Sequence, residues 1–258
     1  MRFGSRVYAV GAIALGLAGL VWSDFVPVWQ PVPAGVPGRT ALAYATAAAL
    51  SLGGAALLYR RSAAVGAAVL VLVYLLGAVL LHVPHLVAHP AHFGPWAGVA
   101  EQLALASGGL IAFACAAKIS TALRSRMSRM GELVFGICVF VFGLAHFVYP
   151  NETASLVPTW LGPGPLFWAY ATGAAHIAAC LAILSGVQAK LAARLLSAMF
   201  VVFALLVHAP LLVADPTSHL HWVMNAVNLA LIGSAWVVAD SLASHAPRPS
   251  QNAEAGQP

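Results

Sequence analysis

Charged residues are scarce in this sequence. Asp, Glu, Lys and Arg together make up 7% of the 258 residues, whereas hydrophobic residues make up 61%. Soluble domains average about 25% charged residues, so an ordinary soluble globular fold is excluded. Several apolar runs reach the roughly 20 residues that a helix needs to cross a hydrocarbon core about 30 Å thick. The composition therefore predicts an integral membrane protein whose helices satisfy their own backbone hydrogen bonds.

Cysteine is also sparse, and the common motifs of soluble enzymes are missing. Cys115, Cys138 and Cys180 each stand alone inside an apolar run, which excludes a C-x-x-C redox motif and a disulfide framework. The sequence contains no P-loop, Rossmann glycine pattern, nucleophile elbow or H-E-x-x-H. The formal net charge of +5 comes from basic patches between apolar runs. These patches indicate orientation in a membrane and not nucleic-acid binding.

The apolar runs predict an all-α protein with eight transmembrane helices. Gly, Pro and charged residues separate the runs. The predicted spans cover about residues 7–23, 40–59, 63–83, 96–117, 131–149, 165–184, 191–212 and 222–240. The first run follows two arginines, as in a signal peptide, but no small-x-small cleavage site is well placed before Trp22. We therefore expect it to remain as a span.

An eight-span topology gathers the basic residues on one side of the membrane. These residues are Arg2, Arg6, Arg60, Arg61, Lys118, Arg124, Arg126, Arg129, Lys190, Arg194 and Arg248. Arg39 alone falls on the opposite side. By the positive-inside rule, both termini are then cytoplasmic, and we expect the chain in a bacterial inner membrane. Glu132 and Asp240 are expected at solvated cytoplasmic ends, with no chemical role.

Short sequences recur at a constant offset. "AYAT" at residues 43–46 returns at 169–172, and "HVPHLVAHP" at 82–90 returns as "HAPLLVADP" at 208–216, each 126 residues later. A chance match would not hold one offset across several spans. The sequence therefore predicts an internal repeat.

The repeat divides the chain into two four-helix units. The predicted units are residues 1–117 and 131–241, joined by a basic cytoplasmic linker at 118–130. A disordered cytoplasmic tail is expected at 242–258. Because each unit has an even number of spans, the units should point the same way, related by an axis along the membrane normal.

Motifs of the second unit carry a family resemblance. "GLAHFVYP" at 143–150, the stretch 156–186 and "HAP" at 208–210 resemble the DoxX/DoxD-like family of four-helix membrane proteins. The resemblance covers nearly all of 131–240 and, more weakly, the first unit. It implies a tandem pair of four-helix bundles and, for some relatives, a role as the membrane subunit of a quinone-linked oxidoreductase. Many members have a Glu in the second helix, where this chain has His176 in one unit and Leu50 in the other.

Eight of the ten histidines fall on the predicted outer side. They are His82, His85, His89, His92, His146, His208, His219 and His221. Imidazole binds transition metals and titrates near neutral pH, so such a group could bind a metal or relay protons. The candidate metal ligands are His82, His85, His89 and His208. The alternative is an amphipathic interfacial loop whose histidines face water, and the prolines at 84, 90 and 95 argue against one continuous helix.

His82 and His208 occupy equivalent positions, each followed two residues later by a proline. Two such histidines could ligate a haem or another metal between the units. Alternatively, each caps its own unit by bonding a carbonyl that the proline leaves free.

Glu101, inside the fourth span, has Val227 as its counterpart. It could pair with His82 or His85 in a proton relay, or reach up to interfacial water. Glu101, His82 and His208 are the candidate catalytic residues.

A second polar group is predicted inside the membrane. His176 lies deep in the sixth span, and Asn225 and Asn228 lie three residues apart on the eighth. Together with His146 these are the candidate cofactor-binding residues. They could bind the head of a quinone, or simply hold helices together.

These observations favour a membrane subunit of a quinone-linked redox system. The cofactor would be a quinone, with a metal or haem less favoured, and the partners would be the lipid bilayer and a redox subunit, with homo-oligomers left open. A carrier for a small amphiphilic solute and a non-catalytic membrane assembly partner are the alternatives. Whether the chain is an enzyme is left open.

Overall fold

The chain folds into helices. The computed structural model describes residues 2–26 and 28–244, and these contain no strand. The helices are α1 (Phe3–Trp22), α2 (Arg39–Leu58), α3 (Ala63–Leu76), α4 (Val83–Ala88), α5 (Phe93–Ala116), α6 (Thr121–Val148), α7 (Pro150–Ser155), α8 (Pro165–Ser185), α9 (Ala189–Phe203), α10 (Ala209–Ala214) and α11 (His219–Ser244). Within the described residues, eight helical segments are long and apolar enough to cross a membrane. The predicted polytopic membrane architecture is therefore confirmed.

Two spans contain a wide π-helical turn just before a proline. Gly77–His82 joins α3 to α4, and Ala204–His208 joins α9 to α10. Pro84 and Pro210 follow these turns. A proline lacks an N–H group and its ring clashes with the carbonyl four residues earlier. The wide turn accommodates that carbonyl, so each span continues past its proline. The first of them ends at Ala88, before Pro90.

The helix ends differ most from prediction around the linker. α6 begins at Thr121, well before the predicted start at 131, and the Ser120 hydroxyl accepts a hydrogen bond from the Leu123 N–H. This N-cap starts a helix that runs on without a break into the membrane span. Most of the predicted linker is therefore helical. At the other end of the chain α11 extends to Ser244, and the rest of the predicted tail lies outside the described residues.

Consecutive spans pack side by side, and the last packs against the first. Proceeding round the bundle, the neighbours are α1 and α2, α2 and α3, α3 and α5, α5 and α6, α6 and α8, α8 and α9, α9 and α11, and finally α11 and α1. α5 and α11 also pack against each other across the middle. Four fully or almost fully buried side chains, Tyr8, Leu105, Phe135 and Val238, mark the core between these helices.

Close helix contacts recur in the two halves. A Cβ added to Gly4 would lie 2.7 Å from the Val237 backbone nitrogen, and one added to Gly131 would lie 2.7 Å from the Ile111 side chain. Ile111 and Val237 are 126 residues apart, the offset of the sequence repeat, and Gly4 and Gly131 are 127 residues apart. A pair of parallel units would produce such matching contacts, and the two-unit arrangement itself stays a prediction.

The alternating helices give the bundle two ends. At the basic end, Arg2 donates to the Asp240 carbonyl oxygen over 2.7 Å, which ties the start of α1 to the last turns of α11. At the far end, the rings of Trp22 and His219 stack with centroids 4.8 Å apart. Arg39, also at the far end, forms an ion pair with Asp24 in the loop between α1 and α2.

Candidate functional site

The histidines of the first half separate into a buried one and an exposed group. His82 is buried, and its Nε2 donates to the Trp29 carbonyl oxygen over 3.0 Å. That carbonyl lies in the loop between α1 and α2, so the predicted bond to a carbonyl freed by the proline is wrong. Because the wide turn at Gly77–His82 places His82 in the helix interface, its imidazole holds this loop against the bundle.

Three further buried groups surround the Trp29 contact. Gln102 Nε2 donates to the same carbonyl oxygen over 3.3 Å. The rings of Trp29 and Tyr74 meet edge to face at 6.4 Å. Within the described residues, the Trp29 indole nitrogen and the Tyr74 hydroxyl are buried without a hydrogen-bond partner. Neither Gln102 nor Tyr74 was among the predicted site residues. Gln102 and the predicted Asn228 occupy equivalent positions of the repeat, and both are buried amides.

The other three histidines of the cluster lie on the surface. His85, His89 and His92 are exposed, with ring centroids 5.0 Å apart for the first pair and 5.8 Å for the second. No group of three or more His, Cys, Asp or Glu side chains in residues 2–26 and 28–244 could hold a metal ion. The metal site predicted at His82, His85, His89 and His208 therefore stays a prediction. In this part of the chain these histidines do not form a group that could hold the ion.

Glu101 stands apart from the imidazoles. Across the described residues it makes no hydrogen bond to His82 or His85, and its side chain is half-buried on α5. No hydrogen bond among the described residues therefore joins the Glu101 carboxylate to His82 or His85 as the predicted proton relay requires, and the role of Glu101 stays a prediction.

Glu132 was expected to be solvated, and this prediction is wrong. Its side chain is 0% exposed, and Arg129 approaches its carboxylate at 3.4 Å. Arg129 also donates to the Leu184 carbonyl oxygen on α8 over 3.3 Å. The early start of α6 explains the difference, because it places Glu132 in the helix interior where the neighbouring helices cover it. Asp240 is likewise half-buried and not a free solvated end.

The second half contains a histidine pair between α6 and α8. The ring centroids of His146 and His176 lie 5.0 Å apart with a tilt of 40°. His176 is almost fully buried and His146 half-buried. The pair fits because Gly173 faces it: a Cβ there would lie 2.8 Å from the Cβ of His146. The structure therefore brings together two of the four predicted cofactor-binding residues.

Both imidazoles are oriented in the same way. His146 Nδ1 donates to the Phe142 carbonyl oxygen over 2.8 Å, and His176 Nδ1 donates to the Thr172 carbonyl oxygen over 2.8 Å. A carbonyl oxygen only accepts, so in the neutral rings Nδ1 carries the proton and Nε2 keeps a lone pair. Such a ring can accept a proton from a ligand hydroxyl or bind a metal ion through Nε2.

Aromatic rings enclose the histidine pair. Phe200 and Phe203 of α9 lie 5.7 and 6.2 Å from the His176 ring, and Phe142 lies 6.3 Å from it. Phe203 is also 6.5 Å from the His146 ring. An apolar surround with a few convergent polar atoms is typical of sites for small ligands.

The two predicted asparagines of α11 do not bond to this pair. Asn228 donates to the Phe200 carbonyl oxygen over 3.0 Å. This bond fixes the backbone at Phe200, whose ring lies next to His176. Asn225 donates to the carbonyl oxygens of His208 and His221 over 2.8 and 2.9 Å. Both amides thus hold α11 in place by bonds to backbone oxygens. The Nδ1 atoms of His208 and His221 are buried without a hydrogen-bond partner in the described part of the chain.

A small apolar groove lies between the two helices that carry His176 and Phe200. It has a volume of about 350 Å³ and runs between α8 and α9. Alanines of α8 form one wall, and Leu195, Leu196 and Met199 of α9 line the other. Ala179 lies one turn from His176, and Met199 precedes Phe200. The groove is thus lined by residues close in sequence to His176 and Phe200, and it extends to Gln188 at the basic end.

Comparison with known proteins gives a match to a family model. A family model described as a domain of unknown function (DUF8561) matches residues 135–239. The matched stretch contains His146, His176 and the groove between α8 and α9. No curated protein and no solved structure matches the chain. The resemblance to the DoxX/DoxD-like family stays a prediction.

Proposed function

We propose that this chain is a membrane subunit of a quinone-linked redox system, and that it binds a quinol head at the His146–His176 pair. The observation that carries the proposal is the matched orientation of the two rings. Each donates Nδ1–H to a backbone carbonyl four residues earlier, which leaves both Nε2 atoms as acceptors at one place inside the bundle.

A quinol head fits this donor pattern. Its two hydroxyls donate, and a neutral imidazole accepts through Nε2. When a quinol is oxidised it releases two protons and two electrons. The imidazoles would take up the protons, and the electrons would pass to a separate redox subunit, which the proposal requires as a partner.

The surroundings suit the rest of such a molecule. Phe142, Phe200 and Phe203 offer ring faces and edges to an aromatic head. The apolar groove between α8 and α9 would take the start of an isoprenoid tail, which then continues into the bilayer.

Direct binding to the purified, detergent-solubilised chain tests the proposal. Decylubiquinol should raise the midpoint of thermal unfolding. His176→Phe keeps a flat ring but removes the acceptor, and His146→Gln replaces the imidazole. Loss of one hydrogen bond weakens binding about fivefold to tenfold, so each variant should raise the Kd by that factor.

His89→Gln is the matched control, because it also removes an imidazole but lies on the exposed surface. It should bind as the unmodified chain does. The same Kd in all four proteins, or no shift with any quinol, would contradict the proposal.

A carrier or binding protein for a small amphiphilic solute is the second candidate function. The groove between α8 and α9 favours it, because its lining is apolar and would accept any alkyl tail. Decanol separates the two functions, since it has a similar tail without a quinol ring. Binding of decanol as tight as that of decylubiquinol, and insensitive to His176→Phe, would favour the carrier.

A further inference from the structure

A large cavity opens at the basic end of the bundle. Its volume is about 960 Å³, and it lies among the ends of α1, α2, α3, α5, α6 and α11. Three of these helices begin at the cavity and three end there, so the helix dipoles roughly cancel. The charge that a ligand meets in the cavity is therefore set by the side chains.

Most of the charged side chains that line the cavity are cationic. Arg2, Arg60 and Arg124 line the cavity against one carboxylate, Asp240, which gives the lining a net charge of +2. Asp240 also interacts electrostatically with Arg194 and Lys190, so further cations offset its charge.

The guanidinium groups keep donors for a ligand. Arg2 donates through Nη1 to the Asp240 carbonyl oxygen, and Arg124 donates through Nε to the Ala114 carbonyl oxygen. Each bond uses one of the five N–H donors of an arginine. Within residues 2–26 and 28–244, Arg60 makes no ion pair or hydrogen bond.

The cavity changes from charged to apolar with depth. The three arginines are exposed, and the hydroxyl residues Ser5, Thr121 and Ser125 also contribute to the lining. Deeper residues are apolar and almost fully buried, among them Leu57, Ile111 and Val237. Guanidinium and hydroxyl donors bind phosphate oxygens well, and an apolar floor suits a carbon chain.

We propose that this cavity binds the phosphate group of a phosphate ester, with Arg60 and Arg124 as its principal ligands. Two sources share this chemistry, an anionic phospholipid at the membrane surface and a soluble phosphate ester. The site lies at the opposite end of the bundle from Trp22 and His219, and it is independent of the proposed quinol site. Failure of either proposal therefore leaves the other intact.

Binding measurements on the detergent-solubilised chain test this site. The lipid arm uses short-chain phosphatidylglycerol, with phosphatidylcholine of the same chain length as the zwitterionic comparison. The soluble arm uses glycerol 3-phosphate and inorganic phosphate. Thermal shift gives a Kd for each, and binding should weaken as the salt concentration rises.

The variants are Arg60→Gln and Arg124→Gln, each paired with a neighbour that does not line the cavity. Arg61→Gln and Arg126→Gln remove the same charge from exposed positions. We expect each cavity variant to raise the Kd about fivefold while the controls change it far less. Arg60→Gln removes no bond within the described residues, so its fold should persist.

Tight phosphatidylglycerol binding with weak glycerol 3-phosphate binding identifies a lipid, and the reverse identifies a soluble ester. Either result supports the proposal when the cavity variants weaken it. No phosphate-dependent shift in either arm, or equal effects of cavity and control variants, would overturn it.

Discussion

Gly108 on α5 packs against Ser234 on α11, and the two residues are 126 positions apart. A Cβ on Gly108 would overlap the Ser234 hydroxyl oxygen and lie 2.8 Å from the Ser234 Cβ and 3.0 Å from its Cα. The residue and its counterpart in the sequence repeat thus touch in the middle of the bundle. Only a residue without a side chain allows α5 and α11 this separation.

Gly108→Val should therefore destabilise the bundle. Overpacking a close helix contact costs about 1–3 kcal/mol, because backbones or side chains must shift. Unfolding in mixed micelles with increasing SDS measures the loss. Gly94→Ala is the control, since nothing lies within 4 Å of a Cβ added there. Equal stability of the two variants would contradict the close packing.

His82→Ala and His208→Ala should have unequal effects. His82 donates to the Trp29 carbonyl oxygen, whereas the His208 ring makes no hydrogen bond in the described part of the chain. Loss of the buried bond should cost about 1–2 kcal/mol, and removal of the His208 ring should cost less. Hydrogen exchange in the loop at residues 28–38 should rise only in His82→Ala. Equal effects of the two changes would instead indicate one shared site.

Arg129→Gln should destabilise the protein more than Arg126→Gln. Arg129 lies beside the fully buried carboxylate of Glu132, while Arg126 is exposed. Because the Arg129 side chain is 41% exposed, water screens part of the attraction, and we expect a loss of about 1–3 kcal/mol. The double variant Arg129→Gln with Glu132→Gln should recover part of that loss, measured by the same SDS titration. No recovery would mean that the carboxylate charge is not what Arg129 compensates.

Gly173→Ala should weaken quinol binding. Its new Cβ would lie 2.8 Å from the Cβ of His146 and 2.9 Å from the Phe147 ring, so α6 and α8 must shift against each other and disturb the histidine pair. The first half has the reverse combination, in which Gly19 faces Ala47. Adding His146→Gly to Gly173→Ala recreates that combination. The double variant should regain thermal stability while its quinol affinity stays low, and recovery of binding would exclude His146 from the site.

The number of spans was predictable because apolar length alone determines which segments can cross a bilayer. The start of α6 was not predictable in this way, because the charged stretch after Ser120 is not apolar enough to be recognised as part of a span. Ser120 is nevertheless a good N-cap residue. The same omission led to the wrong prediction that Glu132 is solvated. Its burial depends on how far α6 extends and on which neighbours cover it.

The histidine pair could be predicted only in part. His146 and His176 were both named, but counting along the spans put them at different depths. The segment at 149–164 between α6 and α8, which includes α7, breaks the simple alignment of helix ends. The repeat offset of 126 aligns Ala47 with Gly173 but aligns Leu20 with His146. The exchange of side chains between the two halves, Gly19 against Ala47 and His146 against Gly173, becomes visible only in the helix contacts.

The π-helical turns at Gly77–His82 and Ala204–His208 also determine which way the segments beyond them face. Each wide turn contains one residue more than a regular helical turn and so rotates the following residues by about 100°. Deleting a single residue from Gly77–His82 would restore a uniform helix and turn His82 out of the interface. Which side chains in the last two turns of each span face the helix interface thus depends on one extra residue.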